Sequence, residues 1–148
     1  MQLLEVQQDD YLISTDKAKL DIAFIHHFLS TESYWAKNIP IETVRKSIEG
    51  SLCFGLYSSG KQIGFARVIT DGATFGYLAD VFIDSSHRGK GLSKWLMKTL
   101  MSHPDLQGLR RISLATKDAH SLYEQFGFTP LNDADRFMQI KRENVYGG

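Results

Sequence analysis

The segment Val81-Phe82-Ile83-Asp84-Ser85-Ser86-His87-Arg88-Gly89-Lys90-Gly91-Leu92-Ser93-Lys94 concentrates the clearest chemistry of this chain. An apolar run leads into a glycine-containing loop, and an amphipathic stretch follows. Free backbone N–H groups at such a helix start, together with the helix dipole, favour an anion. Glycines at 89 and 91 let a diphosphate approach the backbone with no Cβ in between. Arg88 and Lys90 add charge. Two better-known phosphate loops do not fit. A Walker loop needs glycine where Asp84 stands and Ser or Thr where Gly91 stands, and a dinucleotide fingerprint needs a third glycine where Lys94 stands. Spacing alone leaves an anion cradle and a solvated turn with a helix cap on an equal footing.

Other chemistry-bearing residues are isolated. Asp80 lies between the apolar Leu78 and Phe82 of one strand pattern, so its carboxylate needs a partner or a task. Arg67 across the predicted hairpin is one such partner. His120 carries an imidazole, a side-chain type suited to proton transfer near neutral pH, but its short helix makes a surface position the plainer reading. His26-His27 lacks a third ligand at metal spacing and reads as helix surface and helix core. Cys53, the only cysteine, falls mid-strand and reads as packing. It excludes an intramolecular disulfide and a multi-cysteine zinc site; no metal is expected.

The elements that must position these residues are those of one domain, spanning residues 1–148. Hydrophobic residues make up 43% and charged residues 23%, which suits a folded chain. Seventeen basic residues balance seventeen acidic ones, so a role in gripping nucleic acid is not expected. No apolar run approaches the roughly 20 residues of a membrane span, and the first ten residues lack the layout of a secretion signal. Neither a membrane nor a nucleic-acid partner is expected, and a cytoplasmic location fits.

Periodicity gives the order of elements. Tyr11 to Ser14 reads as a first strand. Thr15 or Asp16 caps a helix to about Leu29, with Leu20, Phe24, His27 and Phe28 on one face. A short helix follows Pro40, carried by Ile41, Val44 and Ile48. Leu52–Tyr57, Gln62–Thr70 and Thr74–Ile83 form an antiparallel meander joined by tight turns. A helix opens near Gly91 with Leu92, Trp95, Leu96, Thr99 and Leu100 inward and Lys90, Lys94 and Lys98 in a basic row. A strand over Arg111–Thr116, a helix over Ala119–Phe126 and a closing strand over Phe137–Lys141 complete an α/β domain. Its sheet is mixed and mostly antiparallel, with helices on both faces.

Arg88-Gly89-Lys90-Gly91-Leu92-Ser93 resembles the acetyl-CoA signature of the GNAT N-acetyltransferases: Arg or Gln, two residues, Gly, one residue, Gly or Ala. Ala119-His120-Ser121-Leu122-Tyr123-Glu124-Gln125-Phe126-Gly127-Phe128 is similar to that family's Ala-x-x-Leu-Tyr-x-x-x-Gly-Phe block. Separation and element order also agree over nearly the whole chain. Ser93 stands where Gly or Ala is usual, and Thr116 where many members carry Asn.

The resemblance implies acetyl-CoA as co-substrate and an amine acceptor, a small molecule or a peptide, attacking the thioester directly in a ternary complex. It places the CoA pyrophosphate on the N–H groups of Gly89, Lys90, Gly91, Leu92, Ser93 and Lys94, beside Arg88. It lays the pantetheine arm along Val81, Phe82 and Ile83, on a strand that carries a bulge and splays from the next. Tyr123 matches the acid that meets the departing thiolate; a plainer reading makes it a core aromatic with its ring between Phe126 and Phe128. Asp80 is then a candidate base or amine holder, alongside the strut reading. Tyr34-Trp35 falls in a connection that lines the acceptor pocket, as do Leu29–Pro40 and Asn132–Arg136. The alternative of another class is a non-catalytic CoA-binding regulatory module. Homodimer formation is left open.

Overall fold

The computed structural model describes residues 1–147. Six strands form one sheet in sequential order: β1 (Glu5–Gln8), β2 (Tyr11–Ser14), β3 (Leu52–Ser58), β4 (Lys61–Thr70), β5 (Phe75–Ile83) and β6 (Arg111–Ser113). Strands β1 to β5 pair antiparallel, and β6 runs parallel to β5. This is the mixed, mostly antiparallel sheet that the sequence pattern predicts.

Helices cover both faces. On one, α1 (Ile22–His27), a wider helical turn over Phe28–Glu32 and α2 (Ile41–Glu49) pack Ile25, Leu29, Val44 and Ile48 against Cys53, Phe65 and Phe82. Phe28 stacks on Phe82 with ring centroids 3.8 Å apart. On the other face, α3 (Leu92–Met101) buries Leu96, Met97 and Leu100 completely against a floor that includes Phe54, Leu56, Val68 and Leu78. The short α4 (His120–Glu124) brings Tyr123 to the edge of that second core. No helix among the described residues is long and apolar enough to cross a membrane.

Several elements depart from the sequence pattern. Strand β1 precedes the first predicted one and closes a hairpin on β2 through Asp9-Asp10, with Asp9 at φ 54°. The single helix predicted from Thr15 or Asp16 is broken. Asp16 caps only a short 3-10 turn, accepting from Ala18 N–H at 3.0 Å. The chain then extends at Leu20 before Asp21 caps α1, accepting from Phe24 N–H at 3.1 Å. That reset shifts the helix face. His27 is therefore exposed rather than inward with Phe24 and Phe28, while His26 Nε2 sits 3.0 Å from the Ile39 carbonyl.

Near the C-terminus the elements are shorter than predicted: the strand ends at Ser113 and the helix at Glu124. The predicted closing strand over Phe137–Lys141 is not formed; Met138 is 97% exposed. Side chains make the return to β6 instead. Asp133 holds Arg111 at 3.1 Å, and the Phe137 ring lies 4.4 Å from its guanidinium. With only three residues in β6, there is little ladder for another strand to follow.

Candidate active site

Strand β5 is nine residues long, yet it pairs with β6 only through Phe75–Arg111, Gly76–Ile112 and Tyr77–Ser113. Past Tyr77 the two strands part. The edge of β5 from Leu78 onward then faces a cleft of about 600 Å³ instead of a neighbour. Leu78–Val81 form one wall and Leu114–Ala119 the other, with Tyr34, Trp35, Arg67 and Tyr123 completing it. The splayed strand that the family resemblance implies is present.

A bulge sits at the mouth of this wedge. Phe65 pairs with Phe82 and Arg67 with Ala79, so Asp80 and Val81 together oppose the single residue Ala66. Asp80 adopts φ 54°, a left-handed conformation that aspartate tolerates better than most residues. Its side chain, 9% exposed, is held from two sides. Trp35 Nε1 donates to one carboxylate oxygen at 2.7 Å, and Arg67 Nε donates to the other at 2.6 Å. Arg67 is itself anchored by donating to the Ser51 hydroxyl at 3.0 Å. The Arg67 partnership, one of two readings open from the sequence, is therefore real. The Trp35 contact joins the α1–α2 connection to the bulge across 45 positions, and no local pattern signals it.

The glycine loop lies at the far end of β5. Asp84 N–H donates to the Ile63 carbonyl at 2.7 Å, and the Ser86 hydroxyl donates to its carboxylate, holding that carboxyl below its ordinary range. Arg88 Nε caps the Ile83 carbonyl at 3.0 Å, so part of this side chain braces the strand end. Gly89 and Gly91 have φ of 80° and 76°, and a Cβ at either would meet no protein atom within 4 Å. Gly91 is the N-cap of α3, whose first intrahelical bond runs from Trp95 N–H to the Gly91 carbonyl. The N–H groups of Leu92, Ser93 and Lys94 lie in the turn that has no intrahelical acceptor, and no acidic side chain occupies it. Lys90, Lys94 and Lys98 are exposed, as predicted.

Tyr123 borders both the wedge and a second opening of about 670 Å³ on the other side of β6. It is 8% exposed, its ring meets Phe128 edge-on at 6.0 Å, and burial pushes its phenol up to about 12. Tyr123 and Asp80 thus face one cleft, although they come from opposite walls. His120 is exposed on the second opening and lies outside the wedge lining. Cys53 is 1% exposed, with its thiol pushed up to about 11 by burial, which makes it an inert core residue. Asp118, on the β6 side of the wedge, is a carboxylate that sequence reasoning missed. It sits in an unpatterned loop, so only the fold reveals it. Among the described residues no group of three or more His, Cys, Asp or Glu side chains is placed to hold a metal.

A parted parallel strand pair, a bulge at its mouth and an anion-ready helix start define an acyl-transfer domain. The sequence pattern of the Acetyltransferase (GNAT) family matches residues 22–128, and the chain belongs to this family. That family uses acetyl-CoA as co-substrate. The chain is 37% identical to a Gibberella zeae protein carrying a provisional acetyltransferase name, over 77% of this chain and 76% of that one. It is 51% identical to a solved, provisionally assigned GNAT acetyltransferase from Xanthomonas campestris pv. campestris, with a TM-score of 0.91 over 93% and 97% of the two chains. The ribosomal-protein-S18-alanine N-acetyltransferase of Escherichia coli shares the fold at 20% identity and a TM-score of 0.67, over 82% and 79% of the chains.

Proposed function

We propose that this acetyltransferase moves the acetyl group of acetyl-CoA directly onto an amine held beside it in the wedge. The observation that carries the reading is the parting of β5 from β6 just where the bulge at Asp80 begins, with the glycine cradle at the far end of the same strand. One continuous track results. The CoA diphosphate fits the N–H groups from Gly89 to Lys94, with Arg88 and Lys90 beside it. The pantetheine arm, which carries amides, fits the unpaired edge of Val81, Phe82 and Ile83 as an added strand would. The thioester then falls between the bulge and Tyr123. A backbone N–H released by the bulge is suited to meet the oxyanion.

In this mechanism the amine nitrogen attacks the thioester carbon, the C–S bond breaks, and the nitrogen proton finishes on the sulfur. A phenol raised to about 12 holds its proton more tightly than a thiol of ordinary pKa near 8.5. Tyr123 therefore serves by donating a hydrogen bond to the departing sulfur, with the amine as the net proton source. Asp80 holds the bulge through Arg67 and Trp35. Its place in the same cleft as Tyr123 favours a second reading, in which it also orients the amine or accepts its proton.

The test is CoA release from acetyl-CoA over a panel of amines and peptides, with the acetylated product identified by mass. A chain that binds acetyl-CoA but releases no CoA with any of these amines or peptides is a regulatory module, and the proposal falls.

A further inference from the structure

The face of the sheet on the amine side of the wedge is unusually apolar for a surface. Ile69, Phe75 and Tyr77 are 43%, 40% and 36% exposed, and Tyr34 and Trp35 are 51% and 42% exposed. Ile69 and Tyr77 are direct cross-strand partners, and Phe75 is two residues along, so all three point to one side. Arg67 lies two residues before Ile69 and its partner Ala79 two residues after Tyr77. The shelf therefore continues straight from the Arg67–Asp80 pair at the bulge, at roughly 7 Å per step along the strands. α1 and α2 cover this face at Cys53, Phe65 and Phe82 but leave the shelf bare. It is continuous with the cleft, whose lining includes Tyr77, Tyr34 and Trp35.

Charge decides what suits the shelf. Four ionised side chains line the cleft: Arg67, Lys117, Asp80 and Asp118. Arg67 and Asp80 hold each other at 2.6 Å. Lys117 lies 5.5 Å over the Tyr34 ring, at the rim with Asp118. The cleft is thus balanced, with no cluster of one sign. A polyamine would bring several ammonium groups to one uncommitted carboxylate. A phosphorylated or carboxylated acceptor would set its anion against Asp118 with only one rim lysine to answer it. A single ammonium on an uncharged apolar body meets neither difficulty, whereas a peptide would set its own amide groups unpaired against the apolar shelf.

Resting on the amine-acetylation reading, we propose that the acceptor is a small primary monoamine with an apolar body, aromatic or aliphatic. Its nitrogen lies between Asp80 and Tyr123, and its body lies on Tyr77 and Ile69, one step along the strands from the Arg67–Ala79 pair. The experiment measures kcat/KM with saturating acetyl-CoA for ethylamine, hexylamine, 2-phenylethylamine, spermidine, glucosamine 6-phosphate and a short peptide with a free N-terminal alanine. Hexylamine and 2-phenylethylamine are expected at least tenfold above the last three. Each methylene between ethylamine and hexylamine should contribute about two- to fourfold, as burial of a CH₂ does. Tyr77→Ser and Ile69→Ser should raise KM for 2-phenylethylamine at least fivefold while acetyl-CoA affinity, read by calorimetry, stays at the parent value. A preference for spermidine, the sugar phosphate or the peptide overturns the apolar-monoamine assignment and leaves amine acetylation standing. So does a flat dependence on chain length. Bound acetyl-CoA with no CoA release for any amine overturns both.

Discussion

Two pairs of glycines, one in the sheet and one in the α3 loop, serve opposite needs. In the sheet, a Cβ on Gly64 would come within 2.9 Å of Ile83 Cδ1 and 3.0 Å of the Phe82 carbonyl, and one on Gly76 within 3.1 Å of Leu109 Cδ1. Those glycines answer to atoms already present. In the loop, Gly89 and Gly91 have open space around them and a left-handed backbone. They answer to geometry, and to whatever anion the cradle takes. The same division runs through the molecule. The meander of β3, β4 and the start of β5 is filled by its own side chains, while the wedge beyond Tyr77 is bordered by residues with no strand to meet. Changes in the first region should cost stability, and changes in the second should cost function in a folded protein.

The largest effect is expected in the wedge. Tyr123→Phe removes only the hydroxyl that donates to the departing sulfur, so it should lower turnover roughly 10²- to 10³-fold with acetyl-CoA affinity and melting temperature near the parent values. Because burial keeps the phenol protonated up to about 12, the parent rate should show no Tyr123 ionisation below about pH 11. A stability loss with normal turnover would instead assign Tyr123 to the core, beside Phe128. On the filled side, Gly64→Val should cost about 3 kcal/mol by overpacking against backbone. Denaturant melts and the specific activity of the folded fraction separate the two outcomes; a stable but inactive variant would blur the division.

Gly91→Val has the opposite signature. A left-handed valine costs about 1–3 kcal/mol. Its diagnostic effect is loss of the stabilisation by acetyl-CoA, which for the parent is about 2.7 kcal/mol at a hundredfold excess over Kd. Calorimetry with unchanged acetyl-CoA affinity in Gly91→Val would remove the cradle. Asp80 stands on the border. Asp80→Asn leaves Arg67 without its anion and should cost about 2 kcal/mol. If Asp80 only holds the bulge, activity per folded molecule changes little and its pH profile is unshifted. If it accepts the amine proton, turnover falls most at low pH and recovers toward alkaline pH. The smallest effect is at Cys53. With its thiol raised from 9.0 to about 11, the folded state disfavours the thiolate, so this residue's contribution to stability is lost as pH rises from about 9 toward 11. Cys53→Ala should remove that alkaline slope, seen in melts across pH, without touching turnover.

What was legible in the sequence was what is local. The Arg88–Lys94 loop shows itself because backbone conformation, glycine and helix start fall within seven consecutive residues. The meander shows itself through alternation and tight turns. Strand β1 leaves no sequence signal because Glu5–Gln8 carries three polar residues and one valine, and none of the four is buried. The start of the first helix is ambiguous in the sequence because Asp16 and Asp21 are both competent caps; in the fold, the Gln62 side chain accepts from Asp21 N–H at 2.7 Å, and Asp21 starts α1. The Trp35–Asp80 contact joins distant segments and leaves no periodic trace. The closing strand that the pattern predicts over Phe137–Lys141 does not form, because a three-residue β6 gives it little to pair with.

The central claim is direct transfer inside the wedge, and a two-substrate rate grid tests it most directly. Initial rates measured over acetyl-CoA at several fixed concentrations of an active amine should give intersecting double-reciprocal lines, as a ternary complex requires. Parallel lines, with acetyl-protein trapped in the absence of amine, would mean a covalent acyl-enzyme. The single cysteine is 1% exposed with its thiol at about 11, so that result would contradict the site as described.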